Sequence, residues 1–456
     1  MATPVRRRGS ATIVGALGVT MALAACGVGG STSTSSSSAA GSVNSDPACA
    51  AYKTYGTFSG KSVSVFTGIL APEDALHKKS YAEFEKCTGI KINYEGSNDF
   101  EAALKVRVDG GNAPDIAYIP QPGLLANLVK KGAVKEAPKA VSDLVDQNWT
   151  PAWKKYGSVG GKFYAAPLGA SVKSLVWYSP KYFKANGLTA PTTWADMIKL
   201  SDTIAAKGVK PWCAGFESGA ASGWVGTDWI EDILLRTGGV DTYDKWVNHE
   251  IPFNDPQVQA AFDRAGSILK NEKYVNGGYG GVKTINSTRF QDGGLTILKG
   301  TCALHRQASF YGAQLPPGTK VAEDGDIFAF YLPPIDAGKG KPVLGAGEFT
   351  AAFTDRPEVV AFQTYLASKE WANAKATLGG WASANKGLDP ANVKDPIQNL
   401  SVKILLDPNA TFRFDGSDMM PAAVGAGTFW KGMVAWINGQ DTKQVTTTIE
   451  ASWPKS

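Results

Sequence analysis

The chain has 456 residues, with 46 Lys+Arg against 41 Asp+Glu, a formal net charge of +5 and three histidines. Arg6, Arg7 and Arg8 crowd its start; without them the balance is 43 against 41, or +2, and no basic block or basic stripe with interleaved aromatics remains, which excludes nucleic acid as a partner. Aromatic residues make up 10% of the chain, and many of the 13 Trp stand beside Gly, Asp or Ser in loop-like sequence, a placement that suits a lined cleft.

In chain order, the three arginines precede an apolar stretch from Ala11 to Ala22 and then Leu23-Ala24-Ala25-Cys26-Gly27, a signal peptide over residues 1–25 that ends in a lipobox. The mature protein is expected to begin at Cys26, whose thiol resembles the lipid-modified N-terminal cysteine of bacterial lipoproteins. Residues 26–48 then read as a tether. Ser31 to Ser45 is almost entirely Ser, Thr, Ala and Gly, which buries little apolar surface and stays flexible. No later stretch is apolar for the roughly 18 residues that a span requires. The expected location is therefore the outer face of the cytoplasmic membrane, with a soluble monomeric body held by lipid.

Cys49, Cys87, Cys213 and Cys302 remain, in an oxidising compartment where pairing is the default. Three connectivities are open. Cys49 with Cys87 is favoured because both fall in the first lobe, and Cys213 with Cys302 because each adjoins a predicted strand of the second. No Cys-x-x-Cys or Cys/His spacing suggests a metal.

Ser62–Phe66 alternates as a strand, Tyr81–Lys86 has helical periodicity up to Gly89, and Ile90–Tyr94 is a second strand. A helix over Phe100–Val108 ends at Gly110 and Gly111, and Pro114-Asp115 introduces a buried strand, Ile116–Ile119. This βαβαβ order predicts a parallel, right-handed unit. Further strands are expected at Ser174–Tyr178, Pro211–Phe216, Thr301–His305 and Ile327–Leu332, with helices at Trp194–Lys207 and Val258–Leu269. A body this long exceeds one core, so the fold class is α/β with two lobes, each a mostly parallel sheet flanked by helices.

From Ser62 to Trp436 the sequence resembles extracellular solute-binding proteins of carbohydrate ABC importers, of the class that carries oligosaccharides such as α-glucosides. The matching strings are Phe84-Glu85 with Thr88-Gly89-Ile90, Asp99-Phe100-Glu101, Pro114-Asp115-Ile116, Pro120-Gln121-Pro122-Gly123, Trp177-Tyr178, Pro191-Thr192-Thr193-Trp194, Gly223-Trp224 with Thr227-Asp228-Trp229, Phe412-Arg413-Phe414-Asp415 with Ser417-Asp418, and Thr428-Phe429-Trp430. The resemblance implies a periplasmic-binding-protein-like fold in which the chain crosses between lobes three times, near Tyr164–Ser174, Lys341–Gly347 and Leu366–Trp371. One lobe would comprise 50–166 and 342–370, the other 167–341 and 371–456. It also implies a carbohydrate ligand between the lobes and membrane permease subunits as partners, with no cofactor.

A sugar asks for planar polar groups to bond its hydroxyls and aromatic faces to cover its C–H patches. Glu73 follows the first strand, where it would otherwise serve as a helix N-terminal charge. Asp99 follows the second and doubles as an N-cap candidate. Gln121 stands between two prolines after the third. In the second lobe Trp224 and Asp228 enter a helix together, and Trp229 is either ligand-facing or core. Glu348 follows Gly345-Ala346-Gly347 at a crossing, where related chains place an acid against the sugar. Trp381 follows Gly379-Gly380 as a stacking platform. Arg413, Asp415 and Asp418 form a polar cluster in which Arg413 bonds sugar or holds Asp415. Lys173 and Trp177, near the first crossing, complete the set. Gly-x-Ser-x-Gly, His-Glu-x-x-His and P-loop motifs are absent, so the chain is not expected to be an enzyme. A secreted glycosidase needs only two facing carboxylates and is the catalytic alternative. A sugar-sensing lipoprotein with a signalling partner is the other.

Overall fold

The computed structural model describes residues 46–405 and 407–455; the signal segment, the Cys26 site and the Ser31–Ser45 tether lie outside them. In the first sheet Ser62–Thr67 pairs in parallel with Lys91–Gly96 on one side and with Ile116–Ile119 on the other. Phe349–Ala352 and then Ala165–Pro167 extend it in antiparallel fashion. The period-2 alternation that marks these strands divides two cores. Val63, Val65, Ile116 and Tyr118 face one layer, while Phe66, Ala117 and Ile119 face the other.

The second sheet repeats the plan with the order Val275–Asn276, Lys210–Cys213, Cys302–Arg306, Leu175–Tyr178 and Phe328–Tyr331, the first three parallel and the last two antiparallel. A third, three-stranded sheet joins Ala410–Phe414 in parallel to Lys341–Ala346, which pairs antiparallel with Ser171–Val172. The chain leaves the first sheet through Ser171–Val172 and returns to it through Lys341–Ala346, so this small sheet is where the two larger ones are connected.

Helix ends follow local chemistry. Gly89 takes the left-handed conformation (φ 74°) that stops Ala82–Thr88. Thr193 caps Trp194–Ala206 by accepting from the Asp196 N–H at 3.1 Å. Asp255 accepts from the Gln257 N–H at 2.8 Å ahead of Pro256–Leu269. Disulfides Cys49–Cys87 and Cys213–Cys302 join cysteines 38 and 89 positions apart in sequence. Among the described residues no helix is long and apolar enough to cross a membrane.

One expected boundary is corrected. Helix Lys369–Leu378 packs Trp371, Ala372 and Ala376 into the first-sheet core with Val65 and Phe362. Ile397 and Ile404 of helix Pro396–Leu405 enter the second-sheet core instead. The third passage between the cores thus falls between Val393 and Ile397, not at Leu366–Trp371. Helical periodicity reveals that a face is buried and leaves open which core receives it.

Candidate functional site

The carboxyl ends of the parallel strands in both large sheets open on one cavity, as expected for open α/β sheets. On the first-sheet side it is lined by Thr67 and Gly68 after the first strand, Ser97 after the second, and Tyr118, Pro120 and Gln121 at the third. Gln121 Nε2 donates to Glu101 Oε1 at 2.7 Å, which leaves the buried Gln121 Oε1 without a partner. Glu73 and Glu348 stand half-buried at the same wall. Burial, followed by the negative charge of Glu348, pushes the Glu73 carboxyl up to about 8. Burial also raises Glu348. Behind them burial draws the Lys375 ammonium down to about 8; it donates to the Gly379 carbonyl at 3.2 Å and faces the Trp381 ring at 5.8 Å.

Trp381 meets Trp371 edge-on with ring centroids 5.0 Å apart, and its Nε1 is buried without a partner. Its seat requires a glycine. A Cβ at Gly169 would stand 2.5 Å from Trp381 Nε1.

The second-sheet side rests on a charge network. Lys173 Nζ donates to Asp228 Oδ1 at 2.8 Å and to Asp415 Oδ2, and lies 5.3 Å from the Trp224 ring centroid. Arg306 reaches Asp228 at 3.5 Å and Asp232 at 2.8 Å, and Arg236 also bonds Asp232. Burial opposes charge on Lys173, yet Asp228 and Asp415 overcome it and hold the ammonium well above its ordinary value. Asp415 in turn stays at about 2: burial raises it, but Lys173 prevails. Burial pushes Asp228 up to about 7 against the pull of Lys173.

Above this floor Trp224, Phe290 and Phe310 form an aromatic group, with Trp224 edge-on to Phe290 at 5.2 Å. Asp415 caps the short helix Gly416–Met419 by accepting from Ser417 Oγ and from the Asp418 N–H, and Asp418 faces the cavity. The π-helical turn Val424–Phe429 widens the backbone just ahead of Trp430, whose buried Nε1 also lacks a partner. Aromatic faces and unspent polar groups therefore meet on opposite walls.

Residues 70–373 match the bacterial extracellular solute-binding protein family. The chain is a member of that family. The member is 43% identical over 402 residues to the osmoprotective compounds-binding protein GgtB of Synechocystis sp., covering 87% of this chain and 93% of that one. It is 37% identical over 409 residues to the alpha-glucosides-binding periplasmic protein AglE of Rhizobium meliloti, covering 86% and 87%. Its fold is shared with maltose-bound MalE3 of T. maritima, at TM-score 0.67, 16% identity and coverage of 86% and 98%. A protein studied in the xylan utilization of Caldanaerobius polysaccharolyticus gives TM-score 0.73 at 18% identity, with coverage of 86% and 99%.

For this solute-binding protein the expected residues divide. Glu73, Gln121, Lys173, Trp224, Glu348, Trp381 and Asp418 line the cavity. Asp228 is fully buried beneath it as the counter-ion of Lys173. Trp177 and Trp229 are core: Trp177 Nε1 donates to the Gln307 carbonyl at 2.9 Å, and Trp229 packs edge-on against Trp212 at 5.2 Å. Arg413 is held by Asp244 through two bonds of 2.7 and 2.8 Å, not by Asp415. Asp99 gives its helix no side-chain cap and stands exposed; its Oδ1 accepts from the Ala220 N–H at 3.2 Å, between segments of the first and second sheets. Trp430, Phe290, Phe310, Glu101 and Gln398 line the cavity beyond those expected from the sequence. Of these, Glu101 and Trp430 stand in strings that carry the family resemblance, whereas nothing in the local sequence distinguishes the phenylalanines from core.

Proposed function

We propose that this solute-binding protein is the carbohydrate-capturing component of an ABC importer. In this reading a neutral di- or oligosaccharide, of the α-glucoside class named for one relative, is held between two lobes and delivered to membrane permease subunits. The observation that carries the reading is the pairing, in one cavity, of the Trp224, Trp381 and Trp430 rings with half-buried or buried polar groups at Glu73, Gln121, Glu348 and Asp418. Rings cover C–H faces and the polar groups take hydroxyls. The lobes proposed are residues 50–167 with 347–393 and residues 175–335 with 396–455, joined through the three-stranded sheet. Sugar bridging both walls would shift the population toward closure, and the Asp99–Ala220 hydrogen bond between the two sides would favour the closed form. Lipid on Cys26 would tether the chain to the outer membrane face.

The test is a thermal-shift screen of the purified protein against trehalose, sucrose, maltose, xylobiose, galactose and sorbitol, with calorimetry and product analysis on each hit. A ligand present at 100 times its dissociation constant stabilises the native state by about 2.7 kcal/mol. Recovery of an α-glucoside hit intact supports the reading. A cleaved hit would overturn it in favour of hydrolysis, and no shift with any sugar would remove a small carbohydrate as ligand.

A further inference from the structure

We infer that the cavity discriminates by charge, accepting uncharged donor-rich glucosides and rejecting those that carry a carboxylate. The inference rests on the α-glucoside reading and specifies which members of that class are taken.

The lining decides it. Five acids, Glu73, Glu101, Glu348, Asp415 and Asp418, face the cavity, and among the described lining residues Lys173 is the one basic side chain. Its charge is already committed to Asp228 and Asp415. Among the described lining residues no arginine presents the planar fork that recognises carboxylates. Lys375 lies behind Trp381, donates to the Gly379 carbonyl and is opposed by Glu73 and Glu348, so it offers an entering anion little.

Helices Phe100–Asp109, Pro122–Lys130 and Trp224–Thr237 begin at the cavity, and a helix start by itself favours an anion. Here the protein supplies its own acids to that region. Glu101 sits in the first turn of one of these helices, and Pro122 at the start of the second removes a donor.

The unspent hydrogen-bonding capacity points the same way. Gln121 Oε1 and Gln398 Oε1 are acceptors without partners, and both residues are over nine-tenths buried. Among the buried atoms of the described lining residues, the unpartnered donors are the indole N–H groups of Trp381 and Trp430, which carry no charge. With the carboxyl oxygens of Glu73, Glu348 and Asp418 the cavity holds more acceptor atoms than unpartnered buried donors. A hydroxyl satisfies these oxygens by donating, whereas an ionised carboxylate accepts only and would enter beside the charged Asp415, in surroundings whose burial already raises Glu73, Glu348 and Asp418 against carrying a negative charge.

The test is calorimetry at pH 7 with neutral maltose and α-glucosylglycerol, set beside their anionic counterparts maltobionate and α-glucosylglycerate. At least one neutral ligand is expected to bind, with the anion of its pair at least a hundredfold weaker, the size of effect that a like charge exerts on a buried carboxyl. Glu348→Gln and Asp418→Asn should each narrow the gap at least threefold. Equal or tighter binding of an anion overturns the charge inference and leaves the α-glucoside reading standing. A gap that neither substitution narrows overturns the assignment of discrimination to these acids. Failure of both neutral ligands defeats the α-glucoside reading itself, and the inference with it.

Discussion

On the wall built by the first sheet, Glu73 and Glu348 remain half-exposed to the cavity, and Gln121 and Trp381 keep polar atoms without partners. On the wall built by the second sheet, Asp228, Asp232 and Asp415 are fully buried and each meets a lysine or arginine, and Glu231 accepts from the Gly416 and Ser417 N–H groups at 2.7 and 3.0 Å. Both walls are rich in acids, but on the second most of them are committed to partners, and its spare capacity falls to Asp418, Gln398 and Trp430. An internally satisfied network fixes the shape of a surface; an unsatisfied one is available for recognition.

The comparison breaks most visibly at Lys173. Replacing it with Met removes the cation shared by Asp228 and Asp415 and leaves buried carboxylates with less compensation. The expected loss is about 3–5 kcal/mol in denaturant unfolding, the usual cost of deleting one partner of a buried ion pair. Adding Asp228→Asn should recover part of it. Glu348→Gln, on the open wall, should change stability by less than about 1 kcal/mol. Similar losses for Lys173→Met and Glu348→Gln would mean that the walls do not differ in this way.

This difference is the part of the site that the sequence does not display. The strand ends that bring Glu73 and Gln121 to the cavity are legible, because alternation and the Gly89 and Pro114 signals locate them. Asp228 and Asp418 look alike as acids near a Trp or a Ser. They separate only when Lys173, 55 residues before Asp228 and 242 before Asp415, arrives in the fold to claim the buried positions. Trp177 and Trp229 were misleading for the same reason: an indole beside a polar residue fits either a cleft or a core with one hydrogen bond. The Arg413–Asp244 pair spans 169 residues, beyond the reach of local pattern.

A middle-sized effect tests what the two regions share. His305, on the second sheet, hydrogen-bonds the Cys213 carbonyl through Nδ1 at 3.0 Å, has no partner at Nε2, and is held at about 4 by burial. Burial also lowers His77, beside the first-sheet core. The unfolded chain takes up these protons below about 6.5, whereas folded His305 resists until about 4. Its contribution is therefore present above pH 6.5 and is lost as the pH falls toward 4, by up to about 3 kcal/mol. His305→Gln should reduce the proton uptake that accompanies unfolding at pH 5 by about one. An unchanged pH slope would mean that His305 does not titrate this way.

The smallest effect is expected at Arg413, where a charged pair lies on the connecting sheet and off the cavity. Its guanidinium grips Asp244 with both groups partly exposed to water. Solvent screening limits such a pair to about 1 kcal/mol or less even when it is bidentate. Arg413→Ala should therefore lower unfolding free energy by no more than that amount and leave sugar affinity within twofold by calorimetry. The neighbouring Phe414 and Asp415 make the outcome informative, because the strand that carries Arg413 runs directly into the acid that holds Lys173. A tenfold loss of affinity at nearly unchanged stability would show that strain in this strand reaches the second wall, and that the saturated network takes part in binding through the connecting sheet.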